Sequence, residues 1–222
     1  MRFLLPLLIA LLGSAQAQTT AQTTAQGHEP SWQAQLGERR FDFQAADGTR
    51  FALDVDARPK PGAAPLQLGL QWQGEPLLLR SEAALCHDLK SGHPYPWRIS
   101  VTLAGRVFHG CGGEPAALLQ ASAWQAGDAV RELRFEGDGR FSAQLACNRL
   151  QGRYRIEAGA LSLMPGPMTR RACWGDGPQA AENRVLEQLQ RVWAFDLDAQ
   201  GRLQLRQTDG ALLTLEALAS TR

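Results

Sequence analysis

Four cysteines constrain this 222-residue chain more than any other feature. Cys86, Cys111, Cys147 and Cys173 form two pairs, each spanning about 26 residues, behind an N-terminus that reads as a secretory signal. Arg2 gives that segment a positive start and Phe3 to Leu12 an apolar core. Ala15-Gln16-Ala17 is a small-x-small cleavage pattern ahead of Gln18. Thiols in an exported chain oxidise, so two disulfides are expected. Three connectivities are open, and the local choice joins Cys86 to Cys111 and Cys147 to Cys173. Each such bridge constrains the unfolded chain by roughly 3–4 kcal/mol. Free thiols or a bound metal are the alternative.

The apolar run is shorter than the ~20 residues a spanning helix needs, and no cysteine follows it to take a lipid. The chain is therefore expected to be periplasmic or secreted, without a transmembrane segment once residues 1–17 are removed. Cleavage removes Arg2 and leaves 22 basic against 22 acidic residues, a net charge of zero. A neutral chain offers no bulk attraction for nucleic acid or anionic lipid, and nucleic acid is not expected as a partner. Residues 18–26, QTTAQTTAQ, form a polar low-complexity leader expected to be disordered.

Beyond the leader, period-2 alternation dominates. Phe41/Phe43, Phe51/Leu53/Val55 and Leu66/Leu68/Leu70/Trp72 each put apolar residues on one strand face. So do Ile99/Val101/Leu103, Val107/His109/Cys111 and Phe141/Ala143/Leu145/Cys147. The last set would present Cys147 to the core. Asp47-Gly48 and Asp138-Gly139 are hairpin turns. One helix is expected, Pro178 to Trp193, with Val185, Leu186, Leu189, Val192 and Trp193 on one stripe. The fold class is mainly β (α+β): two antiparallel β-rich domains, 27–115 and 120–218, the second carrying the packed amphipathic helix. No repeat relates the halves beyond the cysteine pair.

Two resemblances cover these spans. Ala146-Cys147-Asn148, Gly152-Arg153-Tyr154 and Met168-Thr169-Arg170-Arg171-Ala172-Cys173, followed by the helix, resemble the META domain, typified by the heat-inducible envelope protein HslJ. Ala146 stands where that pattern usually has glycine. Gly27, Glu29, Pro30 and Trp32, then Cys86, Asp88, Ser91, Tyr95 and Pro96, then Gly110-Cys111, resemble a less studied envelope domain. The META resemblance implies an envelope role under stress, including tolerance of heat or novobiocin, and brings no catalytic residues.

The candidate binding residues are Glu29, Trp32, Asp88, Tyr95, Asn148, Arg170 and Arg171. Arg170 and Arg171 lie in a loop held by Cys173, and guanidinium groups there suit a carboxylate or phosphate. Residues 131–171 hold eight arginines against four acids. Cys86, His87, His93, His109 and Cys111, with Asp88, are ligand types that zinc or copper accepts, but their spacing matches no metal module. A disulfide with loop histidines nearby is the preferred reading. Ser91, His93 and Asp88 hold hydrolytic residue types without a G-x-S-x-G elbow. The expectation is a monomeric, non-enzymatic envelope protein without cofactor or metal, binding an envelope protein or a small ligand. The alternatives are a periplasmic inhibitor or chaperone-like module, and a metal-dependent or hydrolytic enzyme using residues 86–111.

Overall fold

The computed structural model describes residues 23–55, 66–157 and 159–219. The expected signal, residues 18–22 of the leader and residues 56–65, where PKPGAAP reads as a loop, lie outside them. Two eight-stranded antiparallel sheets make up the fold, each curled nearly into a barrel.

The first sheet holds β1 (Thr23–His28), β2 (Ser31–Leu36), β3 (Arg40–Ala45), β4 (Arg50–Asp54), β5 (Leu66–Trp72), β6 (Glu75–His87), β7 (Pro94–Leu103) and β8 (Arg106–Gly112). Its order is β4-β3-β2-β1-β8-β7-β6-β5, two meanders joined where the first strand pairs with the last. The sheet edges approach one another where Phe51 of β4 meets Trp72 of β5, ring centroids 5.2 Å apart. Inside lie Trp32, Phe41, Phe43, Leu77, Val101 and Phe108. The inward residues are the alternating ones, because a strand exposes successive side chains to opposite faces.

After the short helix α1 (Ala116–Gln120), the second sheet runs β9 (Trp124–Ala126), β10 (Val130–Phe135), β11 (Arg140–Leu145), β12 (Arg149–Glu157) and β13 (Ala160–Met168). Helix α2 (Asp176–Gln190) then crosses to β14 (Val192–Leu197), β15 (Leu203–Gln207) and β16 (Leu212–Ala217). The order is β13-β12-β11-β10-β9-β16-β15-β14, again two meanders joined where the first strand pairs with the last. Val185 and Leu189 of α2 pack inside with Leu133, Phe141, Leu145 and Leu205.

Several expectations need correction. The leader is not wholly disordered: residues 23–26 belong to β1, whose backbone pairs with β2 along its whole length and with β8. Ladder hydrogen bonds, not side-chain burial, make that strand. The helix stops at Gln190, and Val192 and Trp193 begin a strand, Val192 buried and Trp193 half exposed. Helix α1 was not foreseen; its Leu118 and Leu119 join the second core, so that core begins before residue 120. On β8 the inward residue is Phe108, while Val107 and His109 are exposed. Cys147 lies past the end of β11, in a half-buried turn rather than on the core face.

Both bridges form as the local pairing. Cys86–Cys111 links β6 to β8 with a Cα separation of 5.5 Å, and a register shift between Ala83 and Cys86 accompanies it. Cys147–Cys173 ties the β11–β12 turn to the segment before α2, at 5.9 Å. Among the described residues, no helix is long and apolar enough to cross a membrane.

Candidate functional site

Asp88 begins the loop between β6 and β7. The loop is tight: the Gly92 amide donates to the Asp88 carbonyl at 2.7 Å and the Asp88 amide to the His93 carbonyl at 3.0 Å. The carboxylate is 3% exposed, and both its oxygens are occupied. Oδ1 accepts from the Ser91 hydroxyl at 2.7 Å and from the Ser91 and Lys90 amides at 2.8 and 3.2 Å. Oδ2 accepts from Gln26 Nε2 at 2.9 Å and meets His28 Nε2 at 2.7 Å, both from β1. Burial alone would raise its pKa; the donors from Ser91, His28 and Gln26 outweigh it and hold the group well below the ordinary carboxylate range. Burial first, then the charges of Asp88 and Glu114, raises the Tyr95 phenol above its usual value.

This cluster forms one wall of a cleft of about 690 Å³ between the two barrels. Gln26, His28, Lys90 and Tyr95 face it from the first barrel, and Gln120, Tyr154 and Arg155 from the second. The Tyr154 hydroxyl donates to the Glu136 carbonyl at 2.7 Å and accepts from Gln120 Nε2 at 2.7 Å. The barrels meet beside the cleft. Leu85 of β6 packs on the second core. His87 Nε2 lies 2.8 Å from Asp196 Oδ1, and the His93 ring occupies the space a side chain at Gly159 would need.

The residue types that could have held a metal therefore come apart, and the preferred reading of a disulfide with loop histidines nearby is the arrangement found. Cys86 and Cys111 are bonded to one another, His87 pairs across to the second barrel, His93 enters the cleft and His109 is exposed on β8. Hydrolysis fares no better. The Ser91 hydroxyl donates to Asp88, and His93 reaches Ser91 Oγ only through its backbone amide, at 3.3 Å. No imidazole is placed to take the hydroxyl proton, which an activated serine requires.

Trp32 and Glu29 separate from the cluster. Trp32 is buried at 2% exposure, and its indole Nε1 donates to the His109 carbonyl at 2.9 Å. The ring lies over Gly27 and Gly110, where a Cβ on either glycine would strike the indole. The glycines and tryptophan of the first motif are thus a packing device. Glu29 is exposed in the β1–β2 turn.

In the second barrel the motif residues surround Glu182 of α2, which is fully buried. Its Oε1 accepts the Cys147 and Asn148 amides at 2.7 Å each, and its Oε2 accepts Asn148 Nδ2 at 2.7 Å. Burial raises its pKa, and these three donors more than reverse it, leaving the group lowered. Asn148 Oδ1 in turn accepts from the Thr169 hydroxyl at 3.0 Å and the Arg171 amide at 2.8 Å. Arg170 and Arg171 keep their side chains exposed. Among the described residues, Cys147, Cys173 and Glu182 are the one group close enough to share a metal. Its sulfurs are bonded together and its carboxylate is saturated, so it is a structural knot.

Comparison with known proteins bears on this half. Residues 114–220 match the META domain. Two solved structures are similar. A protein from Burkholderia xenovorans, solved by NMR, is 27% identical over 49% of this chain and 90% of its own, with a TM-score of 0.37. A DUF4847 family protein from Bacteroides vulgatus is 13% identical over 43% and 62%, with a TM-score of 0.32. No curated protein matches the chain.

The residues that sequence reasoning missed are Gln26, His28 and Glu182. Glu182 had a signal: it stands three residues before Val185 and seven before Leu189, an acid within the apolar stripe. Gln26 and His28 had none, being polar residues 62 and 60 positions from the aspartate they hold.

Proposed function

We propose that this is an exported, non-enzymatic protein of the cell envelope that takes a small polar ligand in the cleft between its two barrels. The observation that carries the reading is the cleft itself: about 690 Å³, walled by both barrels and lined by amide, imidazole, phenol, ammonium and guanidinium groups. Cavities of this size suit small organic solutes. The lining offers hydrogen-bonding groups of both kinds, with Pro115, Ala116 and Ile156 as its apolar side chains, so a ligand with several polar groups fits it best. Asp88 is a positioning residue: with both oxygens occupied, it holds His28, Gln26 and the loop in place rather than contacting the ligand. A serine bound to an aspartate, without an imidazole base, supports binding over hydrolysis. Two disulfides fit an oxidising compartment, which supports export. The META match, whose resemblance implies an envelope role under stress, supports the location.

Native mass spectrometry of protein purified from periplasm tests this reading, with thermal shifts against pooled periplasmic solutes on the same sample. A copurifying small molecule should be lost in Gln33→Trp, which fills the cleft from an exposed position on β2. A bound solute retained by Gln33→Trp, or no solute and no thermal shift in either protein, would sink the cleft as the site.

A further inference from the structure

Seven residues of the second barrel form a different surface. Between Met168 and α2, Thr169 to Gly175 carry Arg170 and Arg171, both exposed, and Trp174, which is 99% exposed. One exposed apolar residue is ordinary on a protein surface, but an indole in full water beside two exposed guanidinium groups gives the loop an apolar and a cationic part together. The segment is held in place. The Thr169 amide donates to the Arg149 carbonyl at 3.0 Å, and the Arg171 amide to Asn148 Oδ1 at 2.8 Å. Cys173 is bonded to Cys147. With the backbone tied at three points, presenting the side chains costs little ordering entropy on contact.

Charge extends the patch. Arg149 adjoins Thr169, and Arg153 lies two outward positions further along β12, opposite the half-exposed Met164 of β13. Among the described residues, Arg149, Arg153, Arg170 and Arg171 have no carboxylate within ion-pair distance, whereas Arg134, Arg140 and Arg155 on the same barrel do. Four guanidinium groups without an ion-pair partner among the described residues, beside an exposed indole and a half-exposed thioether, match an anionic interface with an apolar layer beneath it.

We infer that the loop 169–175 with Arg149 and Arg153 docks this protein on an anionic lipid surface, arginines on the headgroup phosphates and Trp174 at the headgroup level. Indole rings prefer that level, and guanidinium pairs with phosphate bidentately. The loop itself lies away from the cleft: Gly159, which lines it, sits just before β13, whose nine residues span about 27 Å, whereas Arg153 stands one outward position from the cleft-lining Arg155. The inference stands on observations separate from the cleft reading and survives its failure.

The test is cosedimentation of the full chain, bridges intact, with vesicles of equal parts phosphatidylglycerol and phosphatidylcholine, or of phosphatidylcholine alone. Binding to the anionic vesicles only, falling with salt, is expected. Each arginine contributes about fivefold, so Arg170→Ala/Arg171→Ala should bind roughly 25-fold more weakly. Arg39→Ala/Arg80→Ala, which removes the same charge from the first barrel, should bind as the parent does. A blue shift of tryptophan emission on binding should vanish in Trp174→Ser. No binding, equal binding to phosphatidylcholine, or indifference to the Arg170/Arg171 pair would overturn the inference. Displacement by inorganic phosphate beyond chloride of equal ionic strength would overturn it in favour of a free anion. Capture by polyglutamate without vesicle binding would assign the loop to an acidic protein instead.

Discussion

In the first barrel the buried acid, Asp88, follows its disulfide by two residues and reaches across to β1; in the second, Glu182 lies nine residues beyond Cys173 and reaches back to the amides beside Cys147. Both barrels join two meanders by pairing first strand with last, and both use a carboxylate to pin the segment that carries the bridge. The partners differ. Asp88 is held by a hydroxyl, two loop amides, a glutamine and an imidazole at the cleft wall. Glu182 is held by two backbone amides and one asparagine inside the protein. Donors at a cleft regain water when their acceptor is removed, and donors in an interior do not. The same device therefore serves as an adjustable wall in one barrel and as a structural knot in the other.

Removing the acids tests that distinction most strongly. Glu182→Ala strands three donors, each costing about 1–3 kcal/mol when buried without a partner, for a loss of about 4 kcal/mol. Asp88→Ala should cost about half as much, because the amides of Lys90 and Ser91 can turn to solvent. Urea unfolding of both variants decides it, and equal losses would erase the difference between wall and knot. Removing the bridges should discriminate less. Their sequence separations are 25 and 26, so chain entropy assigns Cys86→Ser/Cys111→Ser and Cys147→Ser/Cys173→Ser the same loss of about 3–4 kcal/mol. A loss smaller by more than about 1 kcal/mol in the second barrel would mean that the donors to Glu182 hold the turn without the sulfur link.

The sequence made the strand faces legible wherever alternation ran on into a core, as at Phe41/Phe43 and Phe141/Ala143/Leu145. Both cysteine pairings followed from proximity in sequence. Strand β1 was hidden because TTAQ has no apolar alternation; it exists through pairing with β2 and β8, which is a property of distant chain. The end of α2 was hidden because Val192 is buried in either conformation, and the stripe ran on into a strand. Of the site, Asp88 and Tyr95 were visible as motif residues, as were Asn148, Arg170 and Arg171. Their roles were not, since each depends on partners 20 or more positions away, such as His28, Glu182 and Thr169. Trp32 illustrates the limit: the spacing that placed it beside Gly27 was a packing requirement, not a binding one.

The smallest effect is the one that acidity should expose. Asp88 and Glu182 both have lowered pKa values in the folded protein, so each contributes fully above the unfolded carboxylate value of about 4 and is lost as pH falls through its folded value. Between pH 7 and 5 the urea midpoint difference between the parent and Asp88→Asn should stay constant, at a stability gap of about 2 kcal/mol. Below pH 4 the parent loses its charged hydrogen bonds while the amide variant has none to lose, so the gap should close. Glu182→Gln should show the same closure. A gap in either variant that persists unchanged below pH 4 would show that the charge of its carboxylate does not set the loss, and the wall and the knot would then differ in packing alone.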